Sequence, residues 1–230
     1  MTENIGYNKR RRKTSDAERQ GYVEYVTTMS YIHKYLEPHM RIAEIGAGTG
    51  RYSLALAREG YHVEAVELVE RNIQVFRSKL KKEDDICILQ ENALDLSSFA
   101  EALRITKPGG FLFVAYCLNE ATVLQYCFGQ ETIWEDIEKG LLAEDFTWTA
   151  NENDAFSLVR PADIRELTKD FPIERLHLAA TDGAARYLGD MIEHMEERLY
   201  RKYLEYHFST CEREDLIGAS NHVLDVLRKV

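Results

Sequence analysis

The sequence has few cysteines, and none of them form a close pair. Cys87, Cys117, Cys127 and Cys211 include no CxxC motif and lie in segments that otherwise read as core or helix. A disulfide framework is therefore not expected, and a reducing compartment is. His207 could share a helix face with Cys211, but no second pair of zinc ligands accompanies them, so we predict no metal site.

The sequence also lacks a long apolar run. No uninterrupted apolar stretch approaches 18 residues, and the N-terminus is charged instead of apolar. These absences predict neither a secretory signal nor a membrane span. We therefore expect a cytoplasmic protein with no membrane partner.

Positive charge is in deficit, with a formal net charge of -10. Broad nucleic-acid surfaces need clustered Lys and Arg, so nucleic acid is an unlikely partner. The exception is the basic island "NKRRRK" at residues 8–13. It could bind an anion or RNA, although such runs near a terminus are more often solvated arms.

What the sequence does contain is an alternation of strand and helix patterns. Helical spacing over 21–36 is followed by a short apolar strand at 41–45, and the alternation then repeats. It continues through a helix at 52–58, a strand from 62, a helix at 69–82 and a strand at 86–90. This order predicts an α/β fold with a mostly parallel sheet and helices on both faces.

Three alternating glycines, Gly46, Gly48 and Gly50, follow the first strand in "RIAEIGAGTG". At the carboxyl edge of a parallel sheet, glycines let the backbone turn tightly and approach a ligand. A tight turn without a ligand is the alternative. Glu67 ends the second strand, where a carboxylate can accept both hydroxyls of a ribose. The pair of features predicts a nucleoside-containing ligand.

Two common nucleotide motifs do not fit this turn. A dinucleotide fingerprint would place its third glycine at position 51, where this chain has Arg51. No Gly-Lys-Ser/Thr follows the glycines, so a P-loop is also excluded.

The pattern Glu44-x-Gly46-x-Gly48-x-Gly50 resembles motif I of class I S-adenosylmethionine-dependent methyltransferases. "ENALDL" at 91–96 and "ITKPGGFLFVAY" at 105–116 resemble later segments of that family. The resemblance implies S-adenosylmethionine as the cofactor. It implies a cofactor-binding set of Glu44, Gly46, Gly48, Gly50, Glu67, Asn92 and Ala93. Glu44 would orient the cofactor's amino-acid arm, or only brace the turn.

One segment departs from the family pattern, because the usual fourth strand is missing between the third and fifth strands. Residues 91–108 leave room for one helix only. We predict that the segment 110–116 pairs directly with 41–45, since unpaired backbone in the middle of a sheet is costly. Recruitment of a strand from elsewhere is the alternative.

The second half of the chain supplies the acceptor side. We predict substrate contacts from Tyr22, Tyr116 and Asn119, with a core or rim aromatic as the alternative for Tyr116. A long amphipathic helix is predicted over 184–206. The whole is predicted to be a single domain, with an N-terminal arm and possible lid helix at 1–38, a cofactor core at 39–118 and acceptor elements at 119–230.

The leading hypothesis is methyl transfer to a small-molecule acceptor. The alternative is a protein that keeps the cofactor cleft but has impaired or no catalysis, and RNA or protein methylation is less favoured. No residue is singled out as a catalytic base. The sequence indicates neither the acceptor's identity nor the oligomeric state.

Overall fold

The computed structural model describes residues 19–91, 99–149 and 157–230. The chain divides into two compact units, one of residues 32–110 and one that joins residues 19–31 to 111–230. Helix α1, Arg19–Tyr35, contributes to both units and confirms the helix predicted over 21–36. Within the described ranges, no helix combines the length and apolar character needed to cross a membrane.

The unit of residues 32–110 alternates strands and helices as the sequence predicts. Its elements are β1 (Arg41–Ile45), α2 (Arg51–Arg58), β2 (His62–Glu67), α3 (Glu70–Lys79), β3 (Ile86–Gln90) and α4 (Phe99–Ile105). The three strands form a parallel sheet in the order β1-β2-β3. Ile45 pairs with Val66, and Glu67 pairs with Gln90. The carboxyl ends of the strands therefore lie side by side.

The core of this unit forms where helix positions of 3.6-residue period meet strand positions of period two. Leu54 of α2 and Phe76 of α3 are buried against Ala47 and Ala65. Phe76 is fully buried at 0% exposure. Burying a side chain of this size contributes about 1.5–3 kcal/mol, so these helices are held mainly by packing.

The other unit adds shorter elements after a long central strand. They are β4 (Phe111–Leu118), α5 (Asn119–Thr122), a π-helical turn (Val123–Phe128), α6 (Ile133–Glu138), β5 (Leu158–Val159), α7 (Pro161–Thr168), β6 (Ile173–Ala180), α8 (Ala185–Glu193), α9 (Glu197–Thr210), α10 (Glu214–Ile217) and β7 (His222–Lys229). The sheet order is β5-β4-β7-β6. β5 runs parallel to β4, whereas β7 runs antiparallel to β4 and β6. The predicted α/β class is confirmed. Among the described residues, no strand lies between β3 and β4.

The predicted pairing of 110–116 with 41–45 would join the two units and stays a prediction. Among the described residues, β1 pairs with β2, and β4 pairs with β5 and β7. Leu158 and Val159 of β5 pair with Cys117 and Leu118 at the end of β4. A strand from later in the chain thus supplies backbone partners there, which is the recruitment that the sequence left open.

The helix predicted over 184–206 is two helices. His194 ends α8, and Glu196 is extended and caps α9 by accepting hydrogen bonds from the backbone N–H of Arg198 at 3.1 Å and of Leu199 at 3.3 Å. A carboxylate at this position accepts hydrogen bonds from N–H groups of the first turn, which have no partner within the helix. The predicted apolar stripe is divided as a result, and Met191 and Leu199 are more than half exposed at 54% and 56%.

Helix α1 packs on both of these helices. Val23 is buried with Ala185, Ile192 and Tyr200. The α1 N-terminus is capped by Glu193, whose carboxylate accepts hydrogen bonds from the backbone N–H groups of the helix's first two described residues at 3.1 Å and 3.0 Å. These contacts hold α1 against α8 and α9. Its role as a lid stays a prediction.

Candidate functional site

The turn between β1 and α2 gives the three glycines left-handed backbone conformations. Gly46, Gly48 and Gly50 have φ angles of 77°, 57° and 80°. Residues with a Cβ adopt this region at a cost of roughly 1–2 kcal/mol, which explains glycine at all three positions. The N–H groups of Gly46 and Ala47 both donate to the Val66 carbonyl, at 2.8 Å and 3.0 Å, and so tie the turn to β2.

The surroundings of the glycines differ. A Cβ added to Gly46 or Gly48 would meet no described atom within 4 Å, whereas one added to Gly50 would lie 2.3 Å from the Phe76 ring. Gly46 is exposed, Gly48 is partly exposed and Gly50 is buried. Two of the glycines therefore border open space that a ligand could use. The third is explained by close packing of α2 against α3.

Glu67 lies at the end of β2 beside this turn, and its carboxylate is fixed by three donors. It accepts from the Gly48 N–H at 2.6 Å, from the Val69 N–H at 2.8 Å and from the Asn72 amide at 3.3 Å. Its exposure is 7%. A carboxylate has about four acceptor positions, so one remains, and the long bond to Asn72 is the easiest to exchange.

Glu44 braces the start of α2. Its carboxylate accepts from the backbone N–H of Ser53 at 2.9 Å and from the Ser53 hydroxyl. Burial raises the pKa of Glu44, the two Ser53 bonds oppose that rise, and the charge of Glu67 adds to it. A carboxylate that accepts from the first turn of a helix is favourable, which is compatible with the bracing alternative, and the role of Glu44 toward the cofactor stays a prediction.

The other predicted site residues have different positions. Asn92 and Ala93 lie outside the described residues. Tyr22, Tyr116 and Asn119 belong to the unit that joins 19–31 to 111–230. Tyr22 is 44% exposed on α1, and its ring centroid lies 6.2 Å from that of Tyr25. Its exposed ring is available for contacts, and its substrate role stays a prediction.

Tyr116 and Asn119 make structural contacts. Tyr116 packs on the core around Leu118, and burial together with the nearby Asp225 raises its pKa to about 12, although Arg175 opposes the rise. Asn119 is 2% exposed. Its amide donates to the Phe146 carbonyl at 2.9 Å and accepts from the Trp148 N–H at 2.8 Å. Each side chain is explained by these contacts, and their substrate roles stay predictions.

Three residues around the glycine turn were not identified from the sequence. Ser53 binds Glu44, Asn72 binds Glu67, and the Lys79 ammonium donates to the carbonyl and hydroxyl of Thr49 at 3.3 Å and 3.2 Å. Asn72 and Ser53 each sit in the first turn of a helix that follows a strand carboxylate. That position, three residues into the helix, is the signal that could have found them.

Comparison with known proteins agrees with this arrangement. Residues 43–102, which hold the glycine turn and Glu67, match the family model of the methyltransferase domain. This segment is therefore similar to methyltransferase domains, and the resemblance to class I S-adenosylmethionine-dependent methyltransferases is confirmed.

Solved structures share the fold at low sequence identity. The PH0226 protein from Pyrococcus horikoshii OT3 superposes with a TM-score of 0.56 at 14% identity, over 94% of this chain and 95% of its own. Magnesium protoporphyrin IX methyltransferase from Synechocystis PCC 6803, solved with bound SAH, gives 0.53 at 12% identity, over 92% of this chain and 83% of its own.

A curated relative matches part of the chain. Demethylmenaquinone methyltransferase from Clavibacter sepedonicus is 32% identical over 97 residues, which cover 32% of this chain and 40% of the relative. The chain thus spans less than half the length of this relative. Because 97 aligned positions exceed 32% of 230 residues, part of the relative's aligned length has no counterpart here.

Proposed function

We propose that this protein binds S-adenosylmethionine at the β1–α2 turn and transfers its methyl group to a small-molecule acceptor. The observation that carries the proposal is the open turn at Gly46 and Gly48 beside the fixed carboxylate of Glu67. The cofactor's sulfonium makes its methyl group electrophilic. The protein then has to bind the cofactor, align an acceptor and exclude water.

Glu67 is the residue we propose for the cofactor's ribose. Backbone N–H groups of Gly48 and Val69 already aim its two oxygens, so little side-chain entropy is lost on binding. One ribose hydroxyl can use the remaining acceptor position, and the second can replace the Asn72 amide. Hydrogen bonds to a charged group contribute about 1.5–3 kcal/mol each.

Gly46 and Gly48 are proposed to border the cofactor, since no described side chain occupies the space next to them. Gly50 is proposed to act through its backbone, because its Cα faces Phe76. Glu44 is proposed to shape the site indirectly by holding α2 at Ser53. Asn92 and Ala93 remain proposed neighbours of the adenine on the resemblance alone.

A small-molecule acceptor is supported by charge and by the relatives' names. The net charge of -10 disfavours RNA as a substrate. The relative and the solved structure named above are methyltransferases of demethylmenaquinone and of magnesium protoporphyrin IX. We propose the acceptor class from these two facts together.

Calorimetry with S-adenosylhomocysteine tests cofactor binding. Glu67→Gln should weaken binding about 10–150-fold, equivalent to the loss of one charge-assisted hydrogen bond. Glu64→Gln is the matched control, because Glu64 lies on the same strand and pairs on the surface with Arg41. Its affinity should stay unchanged. Absence of binding to the folded, ligand-free wild type, or equal affinity in Glu67→Gln, would contradict the proposal.

Transfer of a labelled methyl group tests the acceptor class. The full chain is incubated with methyl-labelled S-adenosylmethionine and, separately, with small-molecule, RNA and protein fractions of a cell extract. Label in the small-molecule fraction supports the proposal. Label in the RNA or protein fraction contradicts it, and cofactor binding without transfer to any fraction supports the alternative of lost catalysis.

A further inference from the structure

A thiol, an imidazole and a carboxylate meet at one end of the β4–β7 pair. Cys117 of β4 lies directly opposite His222 of β7 in the antiparallel register. Directly opposite residues project from the same face of a sheet, with Cβ atoms about 4.5–5.5 Å apart. Asp182, which follows β6, places its carboxylate 2.7 Å from Nδ1 of His222.

Asp182 fixes the imidazole. Its side chain is fully buried, and its second oxygen accepts from the Ser220 hydroxyl at 2.6 Å and from the His222 backbone N–H at 3.0 Å. Because Nδ1 of His222 is bonded to Asp182, Nε2 is the ring nitrogen left for the neighbouring sulfur. The order of groups is carboxylate, imidazole, thiol.

The charges of this group follow from its geometry. Burial alone would lower the pKa of His222, but the Asp182 carboxylate and the adjacent Cys117 raise it to about 10. Burial would raise the pKa of Asp182, yet His222 and Ser220 bring it to about 2. His222 is therefore an imidazolium at neutral pH. The Cys117 sulfur thus lies beside a proton donor that Asp182 holds in place, the arrangement in which a neighbouring imidazole assists a cysteine nucleophile.

We propose that Cys117 is a nucleophilic thiol that takes soft carbon electrophiles, such as enones or quinones, by conjugate addition with His222 as the proton donor. The sulfur forms a bond to the β-carbon, and the electron pair of the carbon–carbon double bond moves to the carbonyl oxygen. His222 then gives its Nε2 proton to that oxygen and takes up the proton that leaves the Cys117 sulfur. No group leaves, and no oxidant or reductant is consumed.

Asn221, the residue that precedes His222 in the sequence, carries a buried polar atom without a partner among the described residues. Asn221 is 2% exposed, and its Oδ1 accepts no hydrogen bond within the part of the chain that the structure describes. Its amide nitrogen donates to Gln125 in the π-helical turn. Such turns are concentrated at functional sites, and an unpartnered buried acceptor calls for a donor. A ligand carrying a hydroxyl or an N–H group would satisfy it.

Access favours Cys87 over Cys117, which makes a faster reaction of Cys117 diagnostic. Cys87 is exposed, Cys117 is partly exposed, and Cys127 and Cys211 are buried. The His222 side chain keeps 21% of its surface exposed. If exposure alone controlled the reaction, Cys87 would react first. Faster reaction of Cys117 would therefore report the charge of its neighbours.

Other titratable groups act on the same carboxylate. They are Arg186, at 3.4 Å from Asp182, together with His207, Tyr187 and Tyr203. Burial raises the pKa of both tyrosines, so they stay uncharged between about pH 5.5 and 8.5. Burial lowers the pKa of His207, although Asp182 opposes that effect. The variants described below therefore test whether His222 causes a change in thiol reactivity over this pH range.

The test is the modification rate of each cysteine by N-ethylmaleimide, a conjugate acceptor, in the native full chain. Peptide mass spectrometry gives the rates between about pH 5.5 and 8.5. At about pH 6 the Cys117 rate should exceed that of Cys87 by roughly tenfold or more, because His222 supplies the proton that the addition requires. Cys117 reacting no faster than Cys87 at that pH would overturn the proposal.

Two variants separate the imidazole from general effects. His222→Gln should remove the excess rate of Cys117 and leave Cys87 unchanged. His177→Gln is the control, because His177 lies on β6 and pairs with Glu212 instead. An unchanged Cys117 rate in folded His222→Gln would refute the proton-donor pairing. If His222→Gln fails to fold, the wild-type comparison of Cys117 with Cys87 decides the question.

Discussion

Replacing Gly50 by alanine should destabilise the unit of residues 32–110 much more than replacing Gly48. Both residues have positive φ, so each substitution introduces left-handed strain of about 1–2 kcal/mol. At Gly50 the new Cβ would also lie 2.3 Å from the fully buried Phe76 ring. Overpacking of this kind costs about 1–3 kcal/mol, so we expect a total of roughly 2–5 kcal/mol for Gly50→Ala.

Amide hydrogen exchange, read by mass spectrometry for peptides of β2, measures the opening free energy of this unit separately from the rest of the chain. Gly48→Ala should lower it only by the strain. Phe76→Leu in the Gly50→Ala background should give a positive coupling, since the smaller side chain makes room for the methyl group. Equal losses for Gly48→Ala and Gly50→Ala would refute the packing explanation for the third glycine.

Two further predictions concern the other unit. Glu196→Ala removes the cap of α9 and should lower the free energy of unfolding by about 0.5–2 kcal/mol in urea titrations, whereas the exposed Glu205→Ala should have little effect. His207 is buried against Thr27, with Nε2 2.9 Å from the hydroxyl, and burial lowers its pKa below 6.5. The unfolded chain therefore binds this proton more readily, and stability that is complete above about pH 6.5 should fall on acidification, with a smaller slope in His207→Gln. An identical slope in that variant would exclude this residue as the cause.

The sequence predicted the unit of residues 32–110 well, because its signals are local. Apolar spacing located α2, β2, α3 and β3 to within about three residues, and the glycine turn lies where the pattern placed it. The contact between Glu67 and the Gly48 N–H also follows from adjacent strand ends in a parallel sheet. Reading all three glycines as ligand contacts missed Phe76, since packing between helices is not visible in a local pattern.

The features that the sequence did not reveal depend on contacts between distant residues or on local backbone conformation. The position of β5 beside β4 pairs Leu158 with Cys117, two residues far apart in the sequence. A two-residue strand has too little periodicity to be recognised before its partner is known. The break between α8 and α9 was missed for another reason. Glu196 is a good helix former, and its capping role depends on a local conformation that the apolar stripe does not reveal.

The path of the chain through its two units sets the order in which they can form. The unit of residues 32–110 is continuous, so its strands can pair as soon as that segment leaves the ribosome. β4 must wait for β7, because Phe111 pairs with Arg228 and roughly a hundred residues separate the two strands, a distance that slows pairing. We expect nascent chains to hold a formed glycine turn while the longer sheet is still incomplete. During that interval β4, whose eight residues are mostly apolar, is the segment most in need of protection by a chaperone.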